Sequence, residues 1–353
     1  MTKKILLVDD SALMRRVLCD IINSDERFQV VARATNGLEA FDLLSRNQYD
    51  AVVLNGLQLL EELRKFRIPA RIMMASTDTM EGADTTIRAL ELGALDFVHK
   101  PDSAMDCRVV EFKTNFLRTL DIVANSAMPV FETESQIREI EKTTTKMVDF
   151  AKKFHAKTPG TKVVAMASST GGPKALQEVI PRLPADLDAP VLLVQHMPKG
   201  FTASLAKRLN ELSEIKVKEA QEGDELEKGT VYVAMGGQHM NVRTSPAGRY
   251  TIHYSDEPSR EGVKPCANYM YESLENSHFD EIVCVVMTGM GADGTVGIRN
   301  LKEKKKIHVI AQSQETCTVY GMPKSIVTAE LANQVVPLEQ IAQEVILHVG
   351  VKG

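Results

Sequence analysis

The chain alternates between two kinds of segment. Short apolar runs, KKILLVDD, VVARA, DAVVL, RIMMAS and LDFVHK, have the character of buried strands. Between them SALMRRVLCDIINSD, NGLEAFDLLSRN, LQLLEELRKF and EGADTTIRALELG carry apolar residues at helical spacing. Strand–helix alternation of this kind predicts a parallel sheet wrapped by helices on both faces, over residues 1–122. The pattern then fades. SAMPVFETESQIREIEKTTTKMVDFAKKFHAKTPG is polar and charged and ends in Pro159–Gly160. Residues 123–159 therefore read as a linker with one or two exposed helices, or as an extra helix of either neighbour. A second α/β pattern occupies residues 160–353: KVVAMASSTGG, VLLVQHM, a β-richer middle (TVYVAMGGQHMNVR, RYTIHYSD), EIVCVVMTGMGADG and KIHVIAQ. It predicts a doubly wound, mostly parallel α/β domain, with chemistry expected just beyond the carboxyl ends of its strands.

Composition narrows the class. At 353 residues there is room for two separate cores, and 44% hydrophobic with 25% charged residues is ordinary for a globular protein. A net charge of −5 supplies no basic field for nucleic acid or anionic lipid. No apolar run approaches the roughly 20 residues of a bilayer span, and MTKKILLVDD reaches its aspartates too soon for a signal peptide. Cys19, Cys107, Cys266, Cys284 and Cys317 are scattered without a CxxC pair, which points to a reducing, cytoplasmic setting and away from a structural zinc site or a disulfide framework.

Strand VVAMA runs into Ser168-Ser169-Thr170-Gly171-Gly172-Pro173 ahead of the helical KALQEVI. Ala167-x-Ser169-x-Gly171 resembles the strand–turn–helix elbow that lifts a serine above a sheet, although a capped helix with a glycine-rich turn has the same sequence. A serine nucleophile needs a base. His196 ends VLLVQHM at the matching strand position, and His239 lies in a second Gln-His-Met. His196 is the better placed of the two, with His239 as fallback. A carboxylate should orient the histidine, and Asp293, in the loop after EIVCVVMT, is the candidate. The same loop spells Gly289-x-Gly291-x-x-Gly294, the dinucleotide fingerprint, with Glu315 at a fitting distance. Against that reading, Asp293 inside the loop would repel a pyrophosphate, and the motif falls late in its domain.

Together SSTGGPKAL, QHMPKGFTASLAKRLN and VVMTGMGADGTVGI, with VKPCANYMYESL and CTVYGMPKS, resemble the chemotaxis protein-glutamate methylesterases. The first domain resembles the flavodoxin-like receiver that this family carries. The resemblance implies hydrolysis of glutamate γ-methyl esters on the cytoplasmic helical region of methyl-accepting chemotaxis receptors, with deamidation of glutamines as a second activity. It implies Ser169 as nucleophile, His196 as base and then acid, Asp293 as orienting carboxylate, and the backbone at Thr170 and Met290 as oxyanion donors. No cofactor is implied for hydrolysis, and the chemotaxis histidine kinase joins the receptors among the partners. A catalytically silent receptor-binding regulator is the rival expectation.

For the receiver the resemblance implies a magnesium site at Asp9 and Asp10 and switch residues Ser76, Phe97 and Lys100. The Lys100–Pro101 bond admits the cis form. Helix capping by Asp10 or Ser11 is the alternative use of the first loop. The phosphoacceptor aspartate belongs at the end of DAVVL, but there Leu54 is followed directly by Asn55-Gly56-Leu57. Asp50 lies five positions earlier, about 16 Å away at about 3.3 Å per strand residue. Asp78 follows the fourth strand in the wrong register. No acceptor is therefore expected, magnesium should bind weakly, and control by phosphate should be lost or replaced by docking.

Overall fold

The computed structural model describes residues 2–77, 80–101, 106–129, 160–245 and 248–352. Most of the expected linker, residues 130–159, and Asp78 lie outside them. The chain divides into two compact units, Met1–Glu132 and Thr133–Gly353.

In the first unit β1 (Lys3–Val8), β2 (Phe28–Ala34), β3 (Ala51–Leu54), β4 (Ile72–Thr77) and β5 (Asp96–Lys100) form one parallel sheet in the order β2-β1-β3-β4-β5. That is the flavodoxin-like order, with its switch point between β1 and β3. AVVL is buried at every position, as a central strand covered on both faces must be. Helices α1 (Ala12–Asn23), α2 (Gly37–Arg46), α3 (Gln58–Phe66) and α4 (Met80–Leu92) match the helical segments of the sequence. A fifth, α5 (Val110–Asn125), was not singled out there and runs past the boundary expected at 122. Its buried residues Phe116, Leu117, Leu120, Val123 and Ala124 make one apolar stripe, which packs with Ile5, Leu7, Val53, Met73 and Val98.

The second unit is built on seven parallel strands: β6 (Lys162–Ser168), β7 (Val191–Gln195), β8 (Lys216–Glu219), β9 (Thr230–Val233), β12 (Glu281–Val286), β13 (Ile307–Gln312) and β14 (Gln334–Val336). Their order is β14-β13-β12-β6-β7-β9-β8. After β6 the chain works outward through β7 to β8 and β9, then returns to β12 on the other side of β6 and works outward again. The β6/β12 boundary is thus the topological switch point, where crossovers leave in opposite directions and open a crevice. The β-rich middle splits between two sheets. TVYV joins the parallel sheet, while β10 (His239–Thr244) pairs with β11 (Tyr250–Ser255) as a separate antiparallel ribbon.

Candidate active site

Ser169 stands one residue beyond β6. Its N–H donates to Thr288 O (3.0 Å) beyond β12, and its carbonyl accepts from Gly172 N (2.7 Å) and from Nε2 of Gln195 (3.0 Å), the last residue of β7. The turn requires its glycines. Gly171 has φ of 76°, and a Cβ there would lie 2.4 Å from Thr318 Oγ1. At Gly172 it would lie 2.0 Å from Gln195 Oε1, and at Gly289 2.8 Å from Ser169 Cβ and 2.4 Å from Met322 Sδ. The helix Gly172–Val179 then begins with Pro173 in its first turn.

β6 and β7 are in register with Ser168 opposite Gln195, so Ser169 and His196 emerge side by side. Gln195 ties the two ends together. Its Oε1 accepts from Ser168 Oγ (2.7 Å), and its Nε2 donates to Ser169 O and to His196 O (3.2 Å). The His196 ring meets Asp293 from the far side of β6, Nε2 to Oδ2 at 2.7 Å, with both side chains nearly buried. This leaves Nδ1 as the ring nitrogen available to the serine.

Asp293 sits in a cradle that the sequence did not reveal. Its Oδ2 also accepts from Ala267 N (2.6 Å), and its Oδ1 from Asn268 N (2.9 Å) and Cys266 Sγ (3.1 Å). These donors open the helix Ala267–Ser273, so the carboxylate lies where N–H groups and dipole favour negative charge. Burial works to raise the Asp293 pKa, but the bond and charge of His196, with the Ala267 N–H and Cys266 thiol, outweigh it and hold the carboxyl below its usual range. Asn268 Oδ1 in turn accepts from Gly294 N (3.1 Å) and Gly297 N (2.7 Å).

His239, the fallback base, is fully buried at the start of β10. Its Nδ1 accepts from Cys266 N (3.2 Å), its Nε2 faces Pro258 O at 3.2 Å, and its ring lies 4.6 Å from that of Tyr269. Both nitrogens are committed to backbone, and burial lowers its pKa. It braces the segment that cradles Asp293.

Beyond β12, Thr288 Oγ1 donates to Thr170 O (3.0 Å), while Gly289 N donates to Val319 O (2.9 Å). Met290 follows, 42% exposed as a residue and with its N–H in no backbone hydrogen bond among the described residues. Thr170 is buried on the opposite wall. The fingerprint glycines are used within this site: Gly289 against Ser169, Gly294 on Asn268, Asp293 between them. Glu315 lies separately, in the short turn Gln314–Thr316.

The first unit's carboxyl edge is different. Asp9 and Lys100 form a buried ion pair at 2.8 Å, and Asp9 Oδ1 accepts from Ser11 N (2.9 Å). Ser11 caps α1 by accepting from Met14 N (3.3 Å). β1 and β3 end level, Val8 opposite Leu54, and Asn55 N donates to Val8 O (3.0 Å). Asn55 therefore stands at the end of β3, its Nδ2 donating to Asp10 Oδ1 at 3.2 Å. Asp50 is at the other end of the strand, accepting from Lys4 N (2.8 Å). Ser76 Oγ donates to Gly82 O (3.1 Å), and Phe97 is half-buried on β5. The Lys100–Pro101 bond does not take the cis form that the sequence admits. Lys100 reaches Asp9 directly, and the cis bond among the described residues is Lys264–Pro265.

Both Asp9 oxygens already hold a donor, and one oxygen of Asp10 faces the Asn55 amide. Among the described residues no three His, Cys, Asp or Glu side chains form a metal cluster. As they stand these residues fit a magnesium ion poorly, since it asks for oxygens free of other donors.

Both units have counterparts among known proteins. Residues 164–345 match the CheB methylesterase family model, and residues 5–108 match the response regulator receiver domain. The chain is 40% identical to protein-glutamate methylesterase/protein-glutamine glutaminase 1 of Syntrophomonas wolfei, covering 98% of each chain. Its identity to the Bacillus subtilis protein-glutamate methylesterase/protein-glutamine glutaminase is 37%, over 97% of each. The crystal structure of the Thermotoga maritima CheB methylesterase catalytic domain is matched at 38% identity with a TM-score of 0.52, covering 54% of this chain and 100% of that one. No described helix is long and apolar enough to cross a membrane.

Proposed function

The chain belongs to the chemotaxis family of protein-glutamate methylesterase/protein-glutamine glutaminases, an enzyme family with a receiver and a catalytic domain, and from that membership we propose how its own residues do the work. Ser169 Oγ attacks the γ-carbonyl of a methylated receptor glutamate while His196 Nδ1 takes its proton. Asp293, on the other ring nitrogen, stabilises the imidazolium. The tetrahedral oxyanion turns toward the Met290 N–H and the Thr170 backbone. His196 returns the proton to the leaving methanol, or to ammonia when the substrate is a glutamine, and water then releases the acyl group by the same path.

One observation carries this reading: a histidine beside Ser169 at the carboxyl edge, held at 2.7 Å by a buried aspartate. The test is methanol release from methylated receptor by Ser169→Ala. We expect a fall in turnover of about 10⁴-fold or more with the fold intact. Near-normal turnover in the variant would sink Ser169 as the nucleophile, whereas no methanol release by the unsubstituted protein would leave receptor binding without catalysis as the function.

Regulation is read from the other sheet. The end of β3 offers an amide where phosphate would need a carboxylate, so the freshly made receiver takes no phosphate there, and control by phosphate is lost or gives way to docking. A small-molecule phosphodonor with magnesium tests this. A stable phospho-protein with faster ester hydrolysis would sink it.

A further inference from the structure

The chain contains two Asn-Gly pairs, Asn36–Gly37 and Asn55–Gly56. Asparagine before glycine is the sequence most open to intramolecular attack, because the following nitrogen carries no side chain to block its approach to the amide carbon. Both asparagines are exposed, and the pairs differ in how the side-chain amide is held and how closely the glycine is packed. Asn36 caps α2: its Oδ1 accepts from Glu39 N (3.0 Å), and its Nδ2 donates to Thr35 Oγ1 (3.2 Å). Gly37 is packed so that a Cβ would lie 3.0 Å from Leu59 N. That amide is held at both ends against a helix start.

Asn55 and Gly56 are both exposed. Gly56 has φ of 100°, and nothing lies within 4 Å of where its Cβ would be. Its N–H enters no backbone hydrogen bond among the described residues. Asn55 is fixed by its own N–H to Val8 O, while its side chain is held at Nδ2 alone, by Asp10. The amide carbon is accessible and the neighbouring nitrogen is uncommitted.

We propose that Asn55 is a deamidation site, and that its aspartyl product supplies the carboxylate missing from this edge. In the step, Gly56 N bonds to Asn55 Cγ and the Cγ–Nδ2 bond breaks. Ammonia departs with the Gly56 proton, leaving a succinimide. Water then opens the ring: cleavage at Cγ gives aspartate, cleavage at the backbone carbonyl gives isoaspartate. The aspartate stands beside Asp10 at the end of β3, with Lys100 on Asp9 close behind. A carboxylate replaces an amide donor there, which suits a divalent cation. The chemical step is independent of the esterase reading; its significance for control rests on the receiver reading above.

The experiment ages the full-length protein at mildly alkaline pH and maps its peptides by mass spectrometry, with enzymatic labelling of isoaspartate. Asn55 should convert about tenfold faster or more than Asn36, equivalent to about 1.4 kcal/mol in barrier. Equal rates at the two pairs, or an unchanged Asn55, overturn the proposal. Ser169→Ala should convert Asn55 at the same rate. Loss of conversion in that variant would mean the enzyme's own deamidase acts there, and would overturn the spontaneous route. Magnesium alone, titrated by calorimetry, should bind Asn55→Asp about tenfold more tightly than the fresh protein. Unchanged affinity would overturn the claim that the product matters to this edge.

Discussion

Both parallel sheets bring polar residues from adjacent strands to a carboxyl edge, but they finish the edge differently. In the second unit β6, β7 and β12 contribute Ser169, His196 and Asp293, and each is braced by a neighbour: Gln195 under the first two, the Cys266–Asn268 segment around the third. In the first unit β1 and β5 contribute a buried Asp9–Lys100 pair, while β3 between them arrives with an exposed amide. A switch point fixes where chemistry can happen; whether it happens depends on what each strand carries to its last residue.

The comparison breaks most visibly at Ser169, whose replacement by alanine should cost about 10⁴-fold or more in turnover and leave the first unit unchanged. Asp9→Ala is the reciprocal experiment. It strands Lys100 as a buried unpaired charge and should destabilise the receiver by about 3–5 kcal/mol in calorimetric unfolding, with esterase activity retained at low temperature. Gly289→Ala should fall between, because the new methyl meets Ser169 Cβ and Met322 Sδ. A displacement of the nucleophile approaching 1 Å predicts a loss of about 10²-fold in kcat.

The smallest effect concerns pH. His239 is buried neutral with its pKa lowered, so its share of stability is complete above the unfolded value of about 6.5 and is lost as pH falls toward the folded one. Asp293, also lowered, adds stability above about 3.9 that disappears as pH falls through its folded value. His239→Gln should flatten the first decline, a change of a few °C in Tm between neutral and mildly acid buffer.

The sequence exposed much of this. Strand positions were legible because runs such as AVVL and VLLVQ are continuously apolar; Ser169 and His196 follow such runs directly, and Asp293 lies in the loop after a third. The cradle was not legible. Cys266, Ala267 and Asn268 hold Asp293 chiefly through backbone N–H groups, which every residue but proline possesses, so no side-chain pattern announces them. The fifth helix was missed because VEFKTNFLRTLDIVAN leads straight into the polar stretch that follows. His239 resembles His196 in sequence, Gln-His-Met in both, but it opens a strand of the antiparallel ribbon whereas His196 follows a strand of the parallel sheet.

The Gln195 side chain has one more implication. Ser169 O and His196 O hang from the same amide nitrogen, and Ser168 Oγ from the oxygen beside it. One side chain thus couples the two strand ends that carry the serine and the imidazole, and Gln195→Ala would leave each end held without the other.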